Sequence, residues 1–541
     1  MKRRFISVPV VLLILFAYLS CANIPQTESD LNVYLDDLGE KYEAVCVEMG
    51  TQNWNLYSKE AEADQDGPKL KYAELLLDPK HMKVVDNGLA RIDREENPRL
   101  YRRLFVWKNV LTAARVDMDE NVFRMENQLE QEVNEYTHDV DGKPVLHNEL
   151  RQVLSNKIKD ALEFEARYEA YSDEMQKAFE PRVLELMKLR NEKARGSGFK
   201  DYGEMCLFMT ELLADESKWF YDVIDFIEEK TLEPFKELVE KGSMKTGKEV
   251  SLENIREIVY SMTEDLPAHV GYPTEKALDL AKKTAANIGF DIDALPIRLV
   301  EKALPYGGLN LAIHIPSDIR ILVRPNSGRV GLFLHEFGHG LEAVFNQTPE
   351  PIFKNYEWCL GASTPSYEEG MANVMERFAD HDKWQVMFNK KSKARAEKEK
   401  DNQNLLSPYT IRSTIVEFLF EFELYRNLDR DPEDVAKDLY KKWLFIDGES
   451  HPQKYWATSI FPVAYPCYRQ SYFIADILAW QVHEFLKDKF GDDYLFNSQV
   501  GEWLIEHLFK KGHDLPWMDR IEGSIGQKLD IAGYLASFGI D

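Results

Sequence analysis

His335 and His339 stand four residues apart with Glu336 between them, in the stretch His335-Glu336-Phe337-Gly338-His339. On an α-helix that spacing puts both rings on one face, one turn apart. A single metal ion is then within reach of both, and the glutamate stands beside water bound to the ion. The apolar run Gly331 to Leu334 just before the motif implies that this helix is buried, and the helical pattern extends from Val330 to Phe345. A buried helix that holds a metal has to be wrapped by other elements that supply the remaining ligands. This one feature therefore asks for an enclosing fold with a polar floor.

A catalytic zinc takes three protein ligands and keeps one position open for water. The metzincin continuation, Gly and His three and six residues after the second histidine, is excluded because Glu342 and Phe345 occupy those places. An acidic ligand on a second helix remains. The segment SYEEGMANVMERFAD, Ser366 to Asp380, supplies Glu368, Glu369 and Glu376. Glu369 and Glu376 lie two turns apart on one face, so one can ligate while the other, with Asn373, braces the histidines from behind. Glu369 is the expected ligand and Glu368 the fallback. Acids at a helix start also suit the helix dipole with no metal present, so their occurrence alone does not settle the matter.

The rest of the chain reads as mainly α. Asp30 to about Leu213 carries long amphipathic patterns, including Arg99 to Ala114 and Val145 to Tyr171, stopped at Gly196-Ser197-Gly198. Helical patterns return from Glu216 to about Ile288, Ile411 to Leu428 and Phe473 to Phe490. Leu309 to Val323 is rich in Ile, Leu and Val, and is broken by Pro-Ser-Asp, which predicts two short strands. The charge run from Lys390 to Asp401 reads as a solvated helix or loop without chemistry. No repeat or linker divides the chain.

With 67 basic and 93 acidic residues the net charge is −26, a repulsive average field for any phosphate backbone, so no nucleic-acid partner is expected. Lys2, Arg3 and Arg4 followed by apolar Phe5 to Leu19 form a secretory signal, too short to span a membrane stably. Cys21 after Leu19-Ser20 resembles a bacterial lipoprotein cleavage site, although Tyr18 stands where Leu is usual. The expected organisation is a signal at 1–20, a tether at 21–38 with lipid on Cys21, and one two-lobed domain at 39–541. That places the protein on the periplasmic side of a bacterial membrane or at the cell surface. Cys46, Cys206, Cys359 and Cys467 are widely spaced and read as buried free thiols, not as a thiolate metal site.

Taken together, these residues resemble the helical gluzincin peptidases, which include angiotensin-converting enzyme and the thimet oligopeptidases. The angiotensin-converting-enzyme branch is favoured by QNWNLY (Gln52 to Tyr57), LRNEKARGSGFKDYGEM (Leu189 to Met205), PAH (Pro267 to His269), AIHIPSDIRI (Ala312 to Ile321) and YFIADILAWQVHEFL (Tyr472 to Leu486). The resemblance implies a large helical ellipsoid with a deep central channel and a small β-sheet near the zinc helix. It implies one zinc per chain on His335, His339 and Glu369, with Glu336 as general base. It also implies Tyr472 as the donor to the oxyanion, His314 as a substrate contact on an edge strand, and short or unfolded peptides as substrates of a monomer. A peptidyl-dipeptidase is the leading expectation; an oligoendopeptidase and an inactive zinc-binding lipoprotein are the alternatives. The chain departs from the family after PAH, where it reads VGYPTEK and lacks a carboxylate-binding Gln. It departs again at FPVAYPCYRQSY, where Arg469 and Ser471 replace a Tyr and an Arg. Tyr465, Tyr468 and Lys454 are the candidates to hold a substrate carboxylate in their stead, and the lost Arg makes chloride activation unexpected.

Overall fold

The computed structural model describes residues 25–158, 161–213, 218–263, 271–304, 307–325, 327–356, 360–447 and 456–540. The signal, Cys21, the PAH segment, Cys359 and Lys454 lie outside the described residues. Helix α1, Glu28–Ser58, starts where Thr27 accepts from the Asp30 backbone N–H at 3.1 Å, as a helix N-cap should. It buries Leu31, Leu35, Leu38, Tyr42, Cys46 and Met49 at helical spacing. The stretch read as a tether is thus helical and packed from Glu28 on, because its leucines match the core stripe of a helix.

Helices α2 (Pro98–Asp117) and α3 (Glu120–Glu135) follow, then a hairpin of β1 (Thr137–Asp139) and β2 (Pro144–Leu146). The single helix expected over Val145 to Tyr171 is a strand end followed by two helices. These are α4, His147–Lys157, and α5, Ala161–Gly196. Ile158 after α4 is extended, which ends the first helix. Gly198 at φ +99° closes α5 as the Gly-Ser-Gly stop implies. Helices α6 (Tyr202–Met209) and α7 (Trp219–Thr246) complete the first half.

The small sheet has three strands, one more than the sequence suggests: β3 (Ile297–Glu301), β4 (Gly308–His314) and β5 (Asp318–Val323). Their order is β3-β5-β4, with β5 parallel to β3 and antiparallel to β4. The edge strand β4 packs on the helix that carries the histidines, α8, Val330–Phe345. Helix α9, Pro365–Arg377, crosses α8 and is covered by α11, Arg469–Phe490. Between them runs α10, Lys393–Arg426. The charge run enters α10, where Ser392 caps the first turn and Ala396 is buried. Lys391 and Arg395 both bond Glu399, at 2.6 and 2.8 Å.

One core joins Phe333, Phe337 and Leu341 of α8, Met371, Val374 and Met375 of α9, and Ile474, Ile477 and Leu478 of α11. Each such side chain contributes about 1.5–3 kcal/mol by leaving water. Cys46, Cys206 and Cys467 are free thiols and buried. No helix among the described residues is long and apolar enough to cross a membrane.

Two buried carboxylates pull stability in opposite directions with pH. Glu211 bonds Arg102 and, at 3.3 Å, His513; burial opposes its ionisation, but these partners hold it down at about 2. Glu421 lies on α10 and accepts from the Cys467 N–H at 2.9 Å; burial pushes it up to about 7. Between its unfolded value and 7 the folded chain holds this proton more tightly than the unfolded chain, so stability falls as pH rises through that window. Glu421→Gln keeps the acceptor without the charge. We expect it to be more stable than wild type by about 2 kcal/mol at pH 8 and to match it near pH 4.5, as read by denaturant melts at the two pH values.

Candidate metal centre

The centre forms where α8 and α9 come closest. A Cβ on Gly338 would lie 2.5 Å from Ala372 Cα, so only glycine allows the two backbones to approach this far. Gly370 admits Leu478 of α11 in the same way, at 3.0 Å. With the helices this close, Glu369 faces the two histidines directly. Its Oε2 lies 3.2 Å from His335 Nε2 and 3.6 Å from His339 Nε2. The three donor atoms sit within 4.8 Å of one another.

The environment suits a cation. Glu369 Oε2 is buried with no well-aligned hydrogen bond, so its lone pairs and those of two imidazoles converge on one point. Burial alone would raise the Glu369 carboxyl, but the two rings against it hold it far below the usual range. Burial likewise opposes a charge on His335, yet the Glu369 and Glu376 carboxylates beside the ring raise its pKa well above the ordinary histidine value. His339 is lowered by burial. A bound cation replaces the protons these groups share.

Glu376 Oε2 stands 3.3 Å from His335 Nδ1, on the side of the ring away from Glu369. Asn373 is half-buried one turn earlier and with Glu376 lines a cavity of about 1500 Å³. Glu368, the fallback ligand, turns away: its Oε1 accepts from the Thr364 N–H at 3.1 Å and caps its own helix. Glu336 packs against the edge strand, where a Cβ on Gly308 would lie 2.3 Å from its Oε1. Burial pushes Glu336 up to about 8, with the Glu369 and Glu376 carboxylates adding to the rise and His335 opposing it.

Four aromatic rings form one wall of the centre. Phe461, Tyr465, Tyr468 and Tyr472 pack in sequence, with centroids 6.1, 5.8 and 5.5 Å apart. Tyr468 donates to Glu369 Oε1 at 2.8 Å, so the two oxygens of Glu369 are divided between the tyrosine and the histidines. That makes Tyr468 a support of the metal ligand, where the sequence offered it to a substrate carboxylate. Tyr472 keeps 38% of its surface exposed, while its hydroxyl end is desolvated and faces Glu369 and Glu336. Burial and those two carboxylates hold it well above the usual tyrosine pKa, as a neutral donor. His314 is not drawn in. It sits exposed at the outer end of β4, past a bulge, with Nδ1 2.7 Å from Ser317 Oγ.

The family model for angiotensin-converting enzyme, peptidase M2, matches residues 25–237. Among solved structures the fold is similar to PZ peptidase A with inhibitor 2, at TM-score 0.69 and 12% identity over 99% of this chain and 97% of that one. It is similar to a putative oligoendopeptidase F from Bacillus anthracis strain Ames, at TM-score 0.65 and 14% identity over 99% and 95%. The M32 carboxypeptidase from Deinococcus radiodurans R1 gives TM-score 0.59 and 14% identity over 93% and 99%. Over residues 25–237 the chain is thus similar to the angiotensin-converting-enzyme peptidases, and over nearly its whole length it shares the fold of these solved structures. No curated protein matches it in sequence. The family match ends before α8. The donor set of His335, His339 and Glu369 fits a divalent metal ion.

Gly338→Ala tests the close approach. It should lower the melting temperature and cost about 1–3 kcal/mol, because a methyl group must displace the α9 backbone. It should also weaken metal affinity, since the displaced helix carries Glu369. Thermal melts with and without metal check both effects.

Proposed function

We propose that the chain is a zinc peptidase acting on short or unfolded peptides, with peptidyl-dipeptidase action as the leading mode. The observation that carries the zinc reading is the convergence of Glu369 Oε2 on the Nε2 atoms of His335 and His339 at 3.2 and 3.6 Å. His335, His339 and Glu369 would hold the ion, which when bound supplies Lewis acidity for both the attacking water and the scissile carbonyl. Glu336, adjacent to the first ligand and pressed against Gly308, receives the proton of that water and passes it to the departing amine. Tyr472, whose hydroxyl end faces Glu369 and Glu336, donates to the carbonyl oxygen as its charge develops, an interaction strongest in the transition state. The edge strand β4 has one free side beside α8, where an extended peptide can add as a further strand. Export, a lipid anchor on Cys21 and a monomeric state belong to the same reading and are carried by the sequence.

A second mode, internal cleavage as an oligoendopeptidase, is favoured by one observation. Tyr468, one of the residues offered to a substrate carboxylate, is engaged on Glu369 Oε1 at 2.8 Å.

Two experiments decide these points. Glu336→Gln should lower kcat by at least about 100-fold and leave zinc content unchanged, measured by peptide hydrolysis and metal analysis on one preparation. A variant that keeps its activity would remove Glu336 from the mechanism. Mass spectrometry of a decapeptide digest, with free and with amidated C-terminus, separates the modes. Chelator-sensitive release of C-terminal dipeptides from the free form alone indicates the peptidyl-dipeptidase, and internal cuts in both forms indicate the oligoendopeptidase.

A further inference from the structure

The aromatic wall sits on a segment with little regular structure, a single 3₁₀ turn at Trp456–Thr458 and one helical turn at Phe461–Ala464. A buried segment of this kind has backbone groups that its own helices cannot satisfy. Helix α5, far away in sequence, satisfies them. Gln176 accepts from the Ala457 N–H at 3.3 Å, and Glu180 from the Trp456 indole at 3.2 Å. Further along the same helix, Arg190 is fully buried and donates to two consecutive carbonyls, Pro462 O at 2.9 Å and Val463 O at 2.6 Å. Its charge is met by Glu126 of α3 at 2.6 Å, and its guanidinium lies 5.5 Å from the Tyr202 ring centroid.

We infer that Arg190 is a positioning residue of the metal centre: by holding the Pro462 and Val463 carbonyls it sets where the Tyr468 hydroxyl meets Glu369. The mechanical path is short. Tyr465 and Tyr468 follow the clamped turn directly, and they pack on each other and on Phe461. The far end is fixed by Glu421 on the Cys467 N–H at 2.9 Å. Between those two anchors the segment has little room to move the tyrosine away from Glu369. The guanidinium spreads its donors over two nitrogens in a rigid plane, Nη1 on Pro462 O and Nη2 on Val463 O and Glu126, a spacing that the single nitrogen of lysine does not reproduce. The inference rests on the metallopeptidase reading and assigns a task to the Leu189–Met205 motif, which the chemistry at the metal does not use.

The test is zinc affinity, by competition with a chromogenic chelator, for wild type, Arg190→Lys, Tyr468→Phe and the double variant. Each single change should weaken zinc about tenfold, and the double variant no further than the weaker single, because both act through one hydrogen bond. In peptide hydrolysis kcat should fall with KM nearly unchanged. The inference is overturned if the losses multiply in the double variant, or if Arg190→Lys melts lower while its zinc affinity stays that of wild type. Should Arg190→Lys fail to fold, Arg190→Gln, which leaves Glu126 its ion pair with Lys69 at 2.6 Å, takes its place, and the same readings apply. If wild type binds zinc but cleaves no peptide, the functional reading fails while the affinity comparison still decides the role of Arg190.

Discussion

The contact between Gly338 and the backbone of Ala372 is the constraint on which the site depends. Two helices bearing ordinary side chains keep their axes 8–10 Å apart, and at that distance a glutamate on one need not meet a histidine pair on the other. Gly338 removes the Cβ that would lie 2.5 Å from Ala372 Cα, and the carboxylate of Glu369 then arrives within 3.6 Å of both rings. The same close packing buries the carboxylate, which would be costly if nothing balanced the charge. Two histidines and a tyrosine stand against it, and a divalent cation held by His335, His339 and Glu369 would complete that balance.

Most of this centre was legible in the sequence because helical periodicity is short-ranged. The spacing of His335, Glu336 and His339 fixes their common face, and the spacing of Glu369 and Glu376 fixes theirs. The structure confirms the mainly helical fold and puts Glu376 against His335 Nδ1. What periodicity cannot carry is which loop meets which helix. The third strand, β3, was invisible because its five residues, Ile297 to Glu301, alternate no more clearly than a loop. His314 has a strand-like neighbourhood, but the bulge beside it turns the end of β4 out to solvent. Tyr468 was read as a substrate contact because nothing in its local pattern reveals Glu369 at the other end of its hydroxyl.

Glycines carried a signal that could have been used. Gly308, Gly338 and Gly370 each stand in a regular element, where glycine costs stability relative to alanine. In each case a Cβ would meet a group of the centre or its helix packing: Glu336, Ala372 or Leu478. At Gly308 and Gly338 the missing Cβ leaves room for Glu336 and for the backbone of the helix that carries Glu369.

The aromatic wall follows a different logic from the metal helices. Helices α8 and α9 satisfy their own backbones and can be placed by apolar packing alone. The segment from Trp456 to Tyr468 cannot, so its position is set by polar groups borrowed from α5 and α10. Such bonds are directional, and a buried donor left unmatched costs about 1–3 kcal/mol, so they fix the segment more sharply than packing would. This division separates two demands on one site. The metal ligands need charge balance, which the α8–α9 contact provides. The aromatic wall needs exact placement beside the Glu369 carboxylate, and its rings are held against one another from Phe461 to Tyr472.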